Sequence, residues 1–136
     1  MGVPGVTVLD THVWVWLVAD PRQLSAPAKR LIDRGIRSRE LLVSSISVWE
    51  VAMLVSHGRL ELTMGVGEWV AQAEQLPFLT FVPVNNRIAL EAVRLPQFPH
   101  LDPADRIIVA TAMVFGATLV TRDERLRAHS RVRTVW

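Results

Sequence analysis

The chain has no cysteine, which closes several routes at once. Disulfides, thiolate zinc sites and cysteine nucleophiles are excluded, and nothing points to an oxidising compartment. The four histidines are scattered, without the close helical pairing of a zinc protease. There is no GxxxxGK[ST] phosphate loop, no GxGxxG after a strand and no GxSxG nucleophile elbow. A long uncharged apolar run is missing too. Residues 1–19 are apolar, but Asp10 and His12 interrupt them and no basic segment precedes. The stretch is too short to cross a bilayer. Gly2 is present, yet Val6 stands where myristoylation wants Ser or Thr. The expected location is the cytoplasm.

What is present suits one folded domain. The 136 residues are half hydrophobic and 21% charged, enough to bury a sizeable core. The formal net charge is +2. Several carboxylates belong to a cluster argued below, so the rest of the surface is more basic than the total. That is compatible with a phosphate-rich partner.

Apolar patterning alternates between strand and helix. Val6 to Leu9 is a short β-rich run ending at Asp10, and Thr11 to Ala19 is an unusually apolar helix. Ser25 and Pro27 open a second helix with Ala28, Leu31, Ile32 and Ile36 on one face and Gly35 near its end. Leu41 to Val43 is a second strand, and Ser47-Val48-Trp49-Glu50 opens a third helix that stops near Gly58. Val66, Trp69, Val70, Ala73 and Leu76 share one face of a fourth helix closed by Pro77. Phe78 to Val84 is a third strand, and a fifth helix carries Ile88, Ala89, Ala92 and Val93. Pro96 and Pro99 lead into Asp102, a helix N-cap with Pro103 in the first turn. The helix that follows, from Ile107 to Phe115, is apolar nearly all round and should be buried. Gly116 caps it before strand Ala117–Val120. A short helix then begins at Asp123, and Val132 to Val135 is a last edge strand. Strands alternating with helices predict an α/β protein, a three-layer α/β/α single domain over residues 1–136 around a parallel sheet.

In such sheets, sites gather outside the carboxyl ends of the strands. Asp10, Glu50, Asp105 and Asp123 all fall there. Each has a structural reading. Asp10 and Asp123 can cap the helices after them, Ser47 and Glu50 have capping-box spacing, and so do Asp102 and Asp105. Those readings do not account for four acids on one edge. Carboxylates about 4 Å apart repel by on the order of 4 kcal/mol at a surface-like dielectric, so they must take up protons or bind cations. Oxygen ligands without Cys or paired His select Mg²⁺ or Mn²⁺ over Zn²⁺. Such an ion engages phosphate oxygens, draws a nucleophile from bound water and stabilises in-line displacement. The expected chemistry is metal-assisted phosphodiester hydrolysis. The Thr11 hydroxyl either orients a water or phosphate or caps its helix. Arg106 and Arg122 either hold substrate phosphate or neutralise the cluster.

Several stretches resemble one family in order and spacing. They are Leu9-Asp10-Thr11-His12-Val13-Trp14, Ile46-Ser47-Val48-Trp49-Glu50-Val51-Ala52, Gly58-Arg59-Leu60, Asp102-Pro103-Ala104-Asp105-Arg106 and Val120-Thr121-Arg122-Asp123. Together they look like the PIN-domain proteins of the VapC toxin type, over essentially the whole chain. The resemblance implies a Mg²⁺- or Mn²⁺-dependent endoribonuclease acting on tRNA, rRNA or mRNA, as the toxin of a type II toxin–antitoxin pair. It implies Asp10, Glu50, Asp105 and Asp123 as metal and catalytic residues, Thr11 as polar support, and Asp102 as a cap. It also implies a homodimer and a cognate VapB-type antitoxin laid along an apolar groove, for which Trp14, Trp16, Val51, Leu54 and Leu60 are candidates. Ala104 stands where relatives often carry a larger apolar residue. The alternatives are a catalytically silent PIN-like module binding nucleic acid or protein, and a metal-dependent phosphatase or DNA nuclease.

Overall fold

A computed structural model describes residues 5–97, 100–129 and 131–136. The expectation for Pro99 lies outside the described residues. Five parallel strands run β1 (Thr7–Leu9), β2 (Leu41–Ser44), β3 (Leu79–Val82), β4 (Thr118–Val120) and β5 (Thr134–Val135), in the order β3-β2-β1-β4-β5. The helices are α1 (Thr11–Ala19), α2 (Ala26–Ser38), α3 (Ser45–Ser56), α4 (Val66–Glu74), α5 (Asn86–Arg94), α6 (Pro103–Phe115) and α7 (Glu124–Arg127), with a 3₁₀ turn at Pro21–Gln23. The three-layer α/β/α architecture expected from the alternation is the one observed.

Period-two alternation assigns the two sheet faces. Val8, Leu42 and Leu119 pack with Ile88, Ala92, Ile108 and Val109 of α5 and α6. Their neighbours Leu9, Leu41, Val43 and Val120 pack with α1, α2 and α4. On that second side the fully buried Trp14 ring lies 4.7 Å from Trp69 and 5.3 Å from Phe81. Burying aromatic rings there adds about 0.5–1.5 kcal/mol per pair beyond the area removed from water.

Helix ends follow local chemistry. Ser25, Asn85 and Asp102 each accept from a backbone N–H three residues on. Gly116 closes α6 at φ 60°, the left-handed turn that favours glycine. One expectation is corrected. α3 starts at Ser45 with Ser44 as N-cap, so Ser47 and Glu50 are not a capping box. The earlier start follows from β2 running straight into the helix, Ser44 being both the last strand residue and the cap. Glu50 therefore stands in the second turn, free of capping duty.

The chain steps outward from β1 through β2 to β3, then returns to the other side of β1 for β4 and β5. The order reverses between β1 and β4. That switch point opens a crevice at the strands' carboxyl ends.

Candidate active site

A cleft of about 340 Å³ lies at this point, lined by Asp10, Glu50, Asp102, Asp105 and Asp123 together with His12, Val13, Trp16, Arg122 and Arg125. All four acids singled out in the sequence thus meet in one place. A larger hollow of about 1070 Å³ lies at the strands' opposite ends, near Thr7 and Thr118. Its lining is arginine-rich and holds no carboxylate.

Asp10 is placed by both its strands. Its N–H donates to the Val120 carbonyl at 3.0 Å, one oxygen caps α1 at the Thr11 N–H (2.8 Å), and the other accepts from the Thr121 hydroxyl (2.7 Å). Burial pushes the Asp10 carboxyl above the ordinary range, against the pull of Thr121 and Thr11. Thr11 is buried and holds Glu50 from below. Its hydroxyl donates to Glu50 Oε1 and shares a 2.8 Å bond with Ser47. Glu50 is also shifted up, by burial first and then by the charges of Asp10 and Asp102.

Asp105 sits at the N-terminus of α6, buried at 7% exposure. Asp102 Oδ1 accepts from its N–H at 2.9 Å, so Asp102 is the cap, as expected. The Asp105 carboxyl itself is pushed up to about 7 by burial and by Asp102 and Asp10, with Arg125 opposing. Asp123 caps α7 and is held low by the Arg125 guanidinium. Arg125 Nη2 donates to Asp123 at 2.7 Å and to Asp105 at 3.3 Å. One side chain thus spans two of the acids.

Two basic residues were expected near phosphate or the cluster. Arg122 lines the cleft, exposed, with its guanidinium carbon 5.9 Å from the centre of the Trp16 ring. Arg106 is a correction. Its guanidinium donates to the carbonyls of Ala92, Leu95 and Pro96, where it closes the end of α5 rather than entering the cleft. The physical reason is that these last carbonyls have no helical partner and attract a cation. The groove candidates also divide. Trp14 and Val51 are fully buried core, whereas Trp16, Leu54 and Leu60 are half-buried. Arg125, Thr121 and Ser47 were missed by sequence reasoning. They act through long-range contacts, and only their nearness to the acids in the sequence could have flagged them.

Clustered carboxyls with raised affinity for protons suit a hard divalent cation, since the same oxygens serve either. Among the described residues, no three His, Asp or Glu side chains stand close enough together to hold an ion as arranged here. Thr11, Thr121 and Arg125 occupy their oxygens instead. The donor types fit; the ion would take over bonds that those three now make.

The fold and cleft define an α/β/α domain with an acidic crevice at its switch point. The PIN-domain family model matches residues 7–132. The chain is 40% identical over 131 residues to Ribonuclease VapC22 of Mycobacterium tuberculosis, covering 95% of this chain and 97% of that protein. The chain belongs to the PIN-domain family. In fold it resembles VapBC2 from Rickettsia felis bound to a promoter DNA fragment (TM-score 0.72, 14% identity, 96% of this chain and 97% of that one). It also resembles DNA-bound VapBC from Salmonella typhimurium (TM-score 0.68, 16% identity, the same coverage). VapC-type PIN-domain ribonucleases generally depend on a divalent metal.

Proposed function

We propose that this chain is a metal-dependent endoribonuclease of the VapC type, the toxin of a toxin–antitoxin pair. The observation that carries the reading is the meeting of Asp10, Glu50, Asp105 and Asp123, from four separate segments, in one cleft. Likeness to a named ribonuclease along nearly the whole chain supports it.

The four acids would hold Mg²⁺, with Mn²⁺ able to substitute. Bound there, the ion supplies Lewis-acid stabilisation of charge building on a phosphodiester. The chain's own residues do the positioning. Thr121 and the α1 N-terminus fix Asp10, while Thr11 with Ser47 fixes Glu50. These bonds keep both carboxyls at the cleft, where an ion would take over the oxygens that Thr11 and Thr121 now occupy. Arg122, exposed and lining the cleft, would meet a substrate phosphate. A VapB-type antitoxin would cover the half-buried apolar residues Trp16, Leu54 and Leu60, and the toxin would work as a homodimer. Among the described residues, no helix is long and apolar enough to cross a membrane. A cytoplasmic site of action fits RNA as substrate.

The test is cleavage of total cellular RNA by purified protein with Mn²⁺, with EDTA, and with Asp10→Asn alongside. Discrete products are expected with metal only, reduced at least about 100-fold in the variant, on the scale of losing one strong electrostatic contribution. The thermal transition of the variant should persist. Products that survive EDTA, or a variant that cleaves normally, would reject the reading. Substrates with 2′-deoxy substitutions separate RNA from DNA cleavage.

A further inference from the structure

The acidic cleft has one wall that is not acidic. His12 and Trp16, four residues apart on α1, both line it, with ring centres 5.8 Å apart. Beyond Trp16 lies Trp136, again at 5.8 Å, and Arg122 places its guanidinium over the Trp16 ring. The contrast with Trp14, two residues earlier, is informative. Trp14 is fully buried against Trp69 and Phe81, as core packing requires. Trp16 is half-buried, and two of its neighbours, His12 and Arg122, are exposed polar residues. Part of Trp16 packs against that same core, and the rest of it lines the cleft beside these two polar residues.

We infer that Trp16, flanked by His12 and Arg122, is a stacking platform for an unpaired nucleobase next to the phosphate that is cleaved. An indole face beside a guanidinium is a surface on which bases stack, whatever their hydrogen-bonding edges. Trp136 neighbours the indole in a tilted arrangement, with ring centres 5.8 Å apart. The cleft places this ring beside the carboxylates, so a stacked nucleotide delivers its own phosphate to them. Arg122 can then exchange the ring face for the phosphate. A base inside a duplex has no free face to offer, so the platform selects single-stranded or looped RNA. This rests on the ribonuclease reading for the identity of the phosphate.

The test pairs substrate and protein changes. Short RNA oligonucleotides containing one cleavage site carry a single abasic position, moved along the strand, and are given to wild type, Trp16→Leu and Trp16→Phe with Mn²⁺. For wild type, one flanking abasic position should raise KM about 10-fold, with kcat changed far less. Trp16→Leu should raise KM by a similar factor on intact RNA and be indifferent to that abasic position. Trp16→Phe should regain most of the loss. Thermal melts confirm that each variant is folded, and Phe keeps the test open should Leu destabilise α1. Abasic effects that are the same in wild type and Trp16→Leu would overturn the platform while leaving the ribonuclease intact. If folded wild type cleaves nothing, the ribonuclease reading fails instead, and binding decides. RNA bearing 2-aminopurine, titrated onto Asp10→Asn with and without Trp16→Leu, should lose about 10-fold in affinity and lose its stacking quench in the double variant. Equal affinity and equal emission would overturn the platform.

Discussion

Arg125 shows how one side chain can stand in for an ion. Its guanidinium lies between Asp105 and Asp123, and its side chain is 51% exposed. At that exposure it contributes only modestly, roughly 0.5–1 kcal/mol, and can leave without opening the core. It nevertheless occupies oxygens that a divalent cation would need. Replacing it by glutamine should therefore tighten Mn²⁺ binding by about 2- to 5-fold, the same free energy returned as affinity. Titration calorimetry on wild type and Arg125→Gln reads this directly. Weaker Mn²⁺ binding in the variant would mean that Arg125 assists the ion rather than competing with it. Glu50 makes a related point about what a sequence shows. Its spacing from Ser47 matches a helix cap, yet Ser44 does the capping and Glu50 is held from below by Thr11. Local spacing cannot distinguish these outcomes, because the deciding partner lies 39 residues away. Asp10, Asp105 and Asp123 were legible because each adjoins an element boundary, whereas Glu50 was legible only through a capping spacing that it does not use. Arg125 was not, because only the tertiary fold brings Asp105 to it.

At the scale of elements, legibility follows from how local the cause is. Asp102 with Pro103, Ser25 with Pro27, and Gly116 act on their own helices, and these boundaries stand where the residues predict them. The strands were readable as short apolar runs, but which residues face which layer comes from the sheet itself. The crossing from β3 back to β4 was not, since no residue in either strand names its neighbour. Gly35 belongs to the second kind. It reads as the end of a helix, but α2 continues to Ser38 and ends on Arg39 at φ 59°. Its role is close approach instead. A Cβ added at Gly35 would meet Leu41 Cδ2 at 2.2 Å and Cγ at 3.0 Å, and Leu41 is fully buried in β2. Gly35→Ala should lower stability by about 1–2 kcal/mol, overpacking outweighing the helix-propensity gain. Gly67, in α4, has nothing within 4 Å of an added Cβ. Gly67→Ala should raise stability by about 0.5–1 kcal/mol. Urea unfolding of the pair checks both signs; equal effects would remove the packing explanation.

For the whole molecule, the main consequence is where charge is concentrated. Of thirteen acids, five line a single cleft, which takes only two of the fifteen basic residues, leaving eight acids to set against thirteen bases elsewhere. Folding forces those five together, and three of them, Asp10, Glu50 and Asp105, hold protons more tightly folded than unfolded. The stability they contribute is complete below their ordinary values near pH 4 and is lost as pH rises through their folded ones. For Asp105 that window runs from 3.8 to about 7. Asp123 has the opposite sign, but its lowered value places its loss below pH 4, outside the window. His129 also opposes within the window. Burial lowers its pKa, with Arg106 and Arg131 adding to the effect, so its share of stability falls as pH drops below 6.5. The Asp105 loss, running up to about pH 7, is expected to exceed the histidine's opposing share, so the midpoint of thermal unfolding in EDTA should fall between pH 5 and pH 8. Asp105→Asn, which removes a carboxyl pushed up to about 7, should flatten that decline. Divalent cation should reverse it. An ion and protons compete for the same oxygens, so Mg²⁺ or Mn²⁺ at about 100 times its Kd should add roughly 2.7 kcal/mol at pH 8 and much less at pH 5. For a chain of this size that is a rise of several degrees at the higher pH. A midpoint that climbs with pH in EDTA, or a metal shift equal at both pH values, would mean that the carboxylates are not the pH-sensitive element of this fold.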